Sequence, residues 1–133
     1  PPMNFLDGVI QGDKFVSNNY SLQIANTDQE MLKAYDDKKV TLGVRPEFID
    51  ASDAMIMQFP GSCLDLPIDS KEFLGKHYYV DLKLNDKIIT AKINSRVNVD
   101  VDVLKVAIRM DKVLYFDPET QLRIKGDALN GKK

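Results

Sequence analysis

Residues 40–49 constrain the fold more than any other stretch of the chain. Their first half alternates, with Val40, Leu42 and Val44 at every second position, which is the period of a half-buried strand. Pro46 ends that strand because it has no N–H group to donate to a ladder. Proline also restricts the residue before it, so we expect Arg45 to be extended. The stretch therefore predicts a strand that ends in a fixed corner.

The corner carries two charges. Arg45 and Glu47 flank Pro46, and the spacing predicts that the Arg45 guanidinium bonds to Glu47 or to carbonyls at the strand end. Phe48 and Ile49 follow and are expected to pack over the strand. We interpret the corner as structural, with catalytic use of Arg45 and Glu47 as the alternative.

Short apolar runs separated by turn residues recur along the rest of the chain. A hairpin is predicted where two alternating runs, 78–84 and 87–93, flank Asn85 and Asp86. Other strands are predicted over residues 3–10, 14–16, 20–24, 64–68, 97–103, 104–110, 112–116 and 121–124, and the run 55–59 could be a further strand. One short helix is predicted after Thr27, which forms a capping-box pattern with Glu30. The pattern indicates an all-β sandwich or barrel with one short helix.

Composition limits the class of protein. The 133 residues carry a formal net charge of −2 and no basic block, so nucleic acid is a poor partner on charge alone. The single cysteine, Cys63, excludes an internal disulfide. No apolar run approaches the ~18 residues that span a bilayer. The chain begins at Pro1, and we expect it to be a cytosolic piece of something larger.

Motifs for chemistry are scarce in this sequence. It contains no Gly-x-x-x-x-Gly-Lys-Ser/Thr loop, and we expect no catalytic, cofactor-binding or metal-binding residues. A small hydrolase using Cys63 or His77 is one alternative, but no spacing signal supports it. The alternation of Asn98, Asp100 and Asp102 resembles a calcium loop without its glycine and terminal glutamate, so a solvated strand face is expected instead.

Four motifs resemble one known family in order and spacing. They are Gly-Val-Arg-Pro-Glu at 43–47, the opening segment 2–6, Glu-Phe-Leu-Gly at 72–75, and Tyr-Phe-Asp at 115–117 followed by Thr120. Together they resemble the C-terminal regulatory domain, of the TOBE or OB-like type, in ATP-binding subunits of ABC importers. The carbohydrate importers, typified by maltose importers, are the most similar group.

The resemblance implies an OB-like β-barrel over residues 1–125, followed by a polar tail over 126–133. The structural motif residues that it implies are Gly43, Arg45, Pro46, Glu47 and Gly75. The implied function is a regulatory and dimerisation domain in the ATP-binding subunit of an importer of sugars or related solutes. The alternative is a free-standing OB-type module that binds a small ligand or an oligosaccharide.

The resemblance also implies partners and a location. The expected partners are a second copy of the chain, an ATPase domain of the same longer protein and, through it, membrane permease subunits, but not nucleic acid. ATP and Mg²⁺ are expected to bind that ATPase domain and not this chain, which is expected at the cytoplasmic face of the membrane. Candidate contact residues are Phe48, Glu72, Phe73 and Leu74, because apolar side chains beside a carboxylate suit an interface core and its rim.

Overall fold

The computed structural model describes residues 1–126, which form two five-stranded sheets. The strands are β1 (Asn4–Gln11), β2 (Lys14–Ser17), β3 (Tyr20–Gln23), β4 (Lys39–Val44), β5 (Ile49–Asp50), β6 (Cys63–Phe73), β7 (His77–Leu84), β8 (Lys87–Asn94), β9 (Val103–Ile108) and β10 (Leu114–Phe116). The helices are α1 (Asn26–Leu32) and α2 (Asp53–Gln58), and 3₁₀ turns cover Lys33–Tyr35, Pro46–Phe48 and Pro60–Ser62. Most of the predicted polar tail, residues 127–133, lies outside the described part.

The first sheet has the order β10-β4-β1-β2-β3 and is antiparallel. Leu6 on β1 lies opposite Leu42 on β4, and both side chains are buried in the core. On the outer face, a Cβ added to Gly43 would lie 2.5 Å from the Met3 sulfur and 2.9 Å from the Phe116 ring. Gly43 therefore leaves room for these two side chains to pack against β4.

The second sheet has the order β5-β9-β6-β7-β8. Its long strand β6 changes partner along its length: residues 63–67 pair with β9, and residues 68–73 pair with β7. The register shifts by one residue between Ile68 and Ser70, which marks a β-bulge. Strands β7 and β8 form the hairpin that the alternation and the Asn85–Asp86 turn predict, so that prediction is confirmed.

The side chain of Asn4 joins the two sheets. Its Nδ2 donates to the Val44 oxygen at 3.1 Å and to the Thr90 oxygen at 2.9 Å, while its Oδ1 accepts from the Thr90 N–H at 2.8 Å. Asn4 belongs to β1 and Thr90 to β8, so one side-chain amide takes the place of a peptide group between them. This bond set links the two sheets at one point of the barrel, and the predicted all-β class is confirmed.

The region around residues 53–58 differs from the strand that the run 55–59 suggested. It forms α2, and the Ser52 hydroxyl accepts the Met55 N–H at 3.3 Å as an N-cap. Asp53 in the first turn also favours a helix start. A second short helix is therefore present, because the capping by Ser52 favours a helix more strongly than the apolar run favours a strand.

The predicted capping box is wrong. Helix α1 begins at Asn26 with Ala25 as its N-cap and no side-chain cap bond, so Thr27 lies inside the helix. Buried Ile24 ends the preceding strand region and fixes where the chain turns. Gln29 supplies a local bond instead, since its Nε2 donates to the Ile24 oxygen at 3.0 Å.

Residues 97–102 are irregular and do not form the predicted edge strand, which begins only at Val103. The Asn98 side chain accepts the Asp100 N–H at 2.9 Å, a local turn that competes with a ladder. Val99 is nevertheless buried, so the alternation reflects a loop that inserts one side chain into the core. The predicted strand over 121–124 is reduced to a single bridge between Phe116 and Arg123.

Candidate interaction surface

The corner after β4 has the backbone that the sequence predicts. Arg45 is extended, with φ −75° and ψ 151°, and Pro46 opens a 3₁₀ turn and is buried. The Arg45 oxygen accepts the Phe48 N–H at 3.0 Å and closes the turn. The turn then leads directly into Ile49, which is fully buried on β5. The corner therefore connects the two sheets.

The predicted bond of the Arg45 side chain is wrong. Arg45 and Glu47 are both exposed, and within residues 1–126 the Arg45 guanidinium makes no hydrogen bond or ion pair. An ion pair between two solvated side chains contributes little, so nothing holds these two together across Pro46.

A different arginine covers the corner. Arg109 follows β9, and its N–H donates to the Phe48 oxygen at 2.9 Å. Its guanidinium lies 6.0 Å from the Phe48 ring centroid and 5.9 Å from that of Phe59. Two further bonds join Arg109 to Asp111, from Nη2 at 2.7 Å and from Nε at 3.2 Å, and they hold the pKa of the Asp111 carboxyl below its usual value. Phe48 is thus half-buried under a cation and is a poor anchor for a partner.

The contacts of the two arginines predict different losses of stability when each is replaced by alanine. Arg45→Ala is expected to change the free energy of unfolding by less than about 0.5 kcal/mol, because no contact is lost. Arg109→Ala removes two ring contacts and a paired carboxylate, and we expect a loss of about 1 kcal/mol. Urea unfolding of both variants checks this. A larger loss for Arg45→Ala than for Arg109→Ala would contradict the assignment.

The tip of the β6–β7 hairpin presents apolar side chains to solvent. Phe73 is 59% exposed and Leu74 is 48% exposed, while Glu72 beside them is also exposed. The Phe73 ring rests against Tyr78 with centroids 5.1 Å apart. Gly75 has φ +78°, a conformation that favours glycine, and closes the turn. The tip is therefore a fixed apolar projection, as an interface would need.

The corner lies near the turn between β6 and β7. A cleft of about 440 Å³ lies between them, with Glu47 on one wall and His77 on the other. Its lining also includes Asp50 of β5 and Lys92 and Asn94 of β8. Of the predicted contact residues, Glu72, Phe73 and Leu74 lie together at the tip, whereas Phe48 is covered by Arg109.

The structure separates the two groups of the hydrolase alternative. Cys63 begins the eleven-residue strand β6, and His77 follows the other end of that strand. Roughly 30 Å of extended chain therefore lies between them. The Cys63 thiol contacts the Phe59 oxygen at 3.2 Å, where it is half-buried. Among residues 1–126, no group of three His, Cys, Asp or Glu side chains is placed to hold a metal ion.

Two valines are exposed although the sequence pattern did not predict it. Val101 is 39% exposed and Val103 is 51% exposed, at the start of β9. Their alternation with polar residues predicted one buried face, but Val101 lies in the loop before β9 and Val103 is its first residue, and both are exposed. In the part of the chain that the structure describes, no helix is long and apolar enough to cross a membrane.

Comparison with known proteins points to one group. The family model described as the MalK OB fold domain matches residues 1–49. The oligosaccharides import ATP-binding protein MsmX of Bacillus subtilis is 28% identical over 94% of this chain and 35% of its own length. The trehalose/maltose import ATP-binding protein MalK of Thermococcus litoralis is 33% identical over 90% of this chain and 34% of its own length.

A solved structure agrees with the fold. The cytoplasmic molybdate-binding protein ModG superposes with a TM-score of 0.62 over 86% of this chain and 96% of that protein, at 13% identity. At this identity the likeness concerns the fold alone, and it confirms the predicted OB-like barrel. The chain spans about a third of the length of the curated relatives that it matches.

Proposed function

We propose that this chain is an OB-like domain of the type carried by the ATP-binding subunits of ABC sugar importers, and that it serves such a subunit as its regulatory and dimerisation domain. The observation that carries the proposal is the match of 90–94% of this chain to about a third of each import ATP-binding protein. The names of these relatives favour an importer subunit over a free-standing ligand-binding module.

The proposal divides the work between two parts of a longer protein. Residues 1–125 form the regulatory barrel, and a separate ATPase domain binds ATP and Mg²⁺. The sequence is consistent with that division because it contains no phosphate-binding loop. The longer protein would dock on membrane permease subunits from the cytoplasmic side and energise the import of sugars or related solutes.

Self-association is the property that this barrel itself would supply. A contact that persists while ATPase domains open and close must belong to the barrel and must not depend on nucleotide. The hairpin tip suits this role, because Phe73 and Leu74 are exposed apolar side chains and Glu72 forms a polar rim. Large exposed apolar side chains on a fixed turn are typical of protein contacts.

The test is a charge at the tip. We expect the chain alone to form a weak dimer, with a Kd in the micromolar range or above, and Phe73→Asp to raise that Kd at least about tenfold. The effect counts twice, since a two-fold dimer places Phe73 of both copies at the interface. Sedimentation equilibrium over a concentration series measures both constants.

A matched control is Leu122→Asp, which puts the same charge on a leucine that is 69% exposed in the C-terminal segment after β10. Its Kd should equal that of the wild-type chain. A Phe73→Asp variant that dimerises as well as the Leu122→Asp variant would remove the tip from the interface.

A further inference from the structure

Two adjoining clefts lie beside strands β4 and β10 on the outer side of the first sheet. One has a volume of about 490 Å³ and is lined by Phe5 and Phe116, and the other, of about 770 Å³, is lined by Tyr35. Asp117 and Pro118 line both clefts, so the two form one elongated groove, which we call the Asp117 groove. Cavities of this size accept small ligands.

Three of the four motifs found in the sequence meet at one end of this groove. Phe5 comes from the opening segment and Phe116 from the closing motif, and their rings pack with centroids 5.9 Å apart and planes at 71°. The missing side chain of Gly43 leaves the space that the Phe116 ring occupies. Phe5 is nevertheless 48% exposed. The motifs therefore build an aromatic wall with ring surface left free, and the proposed dimerisation at the β6–β7 tip does not use it.

The loop after β10 forms a second wall and is held in one shape. The Asp117 carboxylate accepts the N–H groups of Glu119 at 2.8 Å and Thr120 at 3.2 Å, and it accepts the Tyr35 hydroxyl at 2.8 Å. Gln121, which lines the groove, has φ +63°, a conformation that residues other than glycine rarely adopt. Backbone strain of this kind is concentrated at functional sites.

Polar groups suited to hydroxyl ligands lie beside the aromatic wall. The Thr41 hydroxyl donates to Oδ1 of Asp7 at 3.1 Å, and both residues line the first cleft. Within residues 1–126, the other oxygen of Asp7 and the side-chain amide of Gln121 make no hydrogen bond. A carboxylate oxygen accepts hydrogen bonds, and an amide both donates and accepts them. These two groups can therefore bind ligand hydroxyls of either orientation.

The charges along the groove favour a neutral ligand. The first cleft is lined by the carboxylates of Asp7 and Asp117 and by no cation, which disfavours an anion. The Tyr35 hydroxyl and the charge of Lys38 hold the pKa of the Asp117 carboxyl below its usual value, so its charge already has partners. Lys38 and Lys39 line the second cleft, where they would repel an extended cation.

We propose that the Asp117 groove binds a neutral oligosaccharide. A sugar ring has an apolar face of C–H groups and an edge of hydroxyls, which match an exposed phenyl ring beside a carboxylate and an amide. One sugar unit stacks on Phe5 and bonds to Asp7 and Gln121, and the next units pass Pro118 into the second cleft beside Tyr35. This site adds a ligand to the barrel, and the proposed function does not depend on it.

The test is an NMR titration of the ¹⁵N-labelled chain with linear glucose tetrasaccharides, one α-1,4-linked and one β-1,4-linked. We expect at least one of them to bind with a Kd of about 1 mM or below. The shifted amides should lie in residues 5–7 and 116–122 and not in residues 72–75. Phe5→Ala should raise the Kd about fivefold or more, because the stacking surface is lost. The matched control is Phe73→Ala, which removes a similarly exposed ring outside the groove and should leave the Kd unchanged.

A second variant covers the case in which Phe5→Ala does not fold. Gln121→Ala removes only an exposed amide and should also raise the Kd, by about threefold or more. Spermidine and inorganic phosphate serve as the cationic and anionic probes. Absence of amide shifts with both tetrasaccharides up to about 10 mM, or shifts that lie outside the groove, would overturn the proposal. Tighter binding of spermidine or phosphate at the groove would overturn the assigned ligand class, and none of these results bears on dimerisation.

Discussion

Asn4→Ala is expected to lower the free energy of unfolding by about 2–3 kcal/mol. The variant loses the amide that bonds the Val44 oxygen and both backbone groups of Thr90. These groups are partly buried at the junction of the two sheets, so water replaces the amide only in part. The cost is therefore larger than that of one exposed hydrogen bond.

Urea unfolding followed by circular dichroism measures this loss. The matched control is Asn18→Ala, because Asn18 is exposed and its side chain makes no hydrogen bond among residues 1–126. The control should lie within about 0.5 kcal/mol of wild type. Equal stability of the two variants would show that the barrel does not depend on the Asn4 junction.

Gly8→Ala is expected to cost about 2–3 kcal/mol by overpacking. A Cβ at this position of β1 would lie 2.5 Å from the Phe15 ring and 2.8 Å from the Val16 carbonyl oxygen. Phe15 is fully buried and cannot turn away, and the carbonyl belongs to the β2 backbone. The first sheet must therefore shift to accept a single methyl group.

A double-mutant cycle isolates this clash. Phe15→Leu alone leaves a cavity, but combined with Gly8→Ala it gives the new methyl group part of that space. The double variant should lose less free energy of unfolding than the two single variants lose together, by about 1 kcal/mol. Strict additivity in thermal unfolding would mean that Phe15 is not what excludes a side chain at position 8.

Local patterns predicted the parts of the fold that short segments determine. The β7–β8 hairpin follows from alternation and its Asn85–Asp86 turn, and the corner follows from the steric limits of Pro46. The strand pattern indicated a sandwich or barrel, and the family resemblance made it an OB-like barrel. The exposed tip at Phe73 and Leu74 was also anticipated from the sequence.

Long-range contacts account for what the sequence did not predict. Nothing near Asn4 indicates that its amide reaches Thr90, eighty-six residues later. The cation on Phe48 is Arg109 rather than Arg45, because β9 returns to the corner beside β5. Strand β6 changes partner along its length because β9 pairs with only its first half. Each feature depends on which strands become neighbours, and apolar periodicity carries no such information.

Self-association of the barrel without help from nucleotide is tested most directly by sedimentation equilibrium of the wild-type chain. The chain would be studied from about 10 to about 500 µM, with and without Mg²⁺ and ATP. We expect an average mass that rises with concentration from one chain towards two, on the same curve with and without nucleotide. A mass of one chain at every concentration, or a dimer that forms only with ATP, would contradict this expectation.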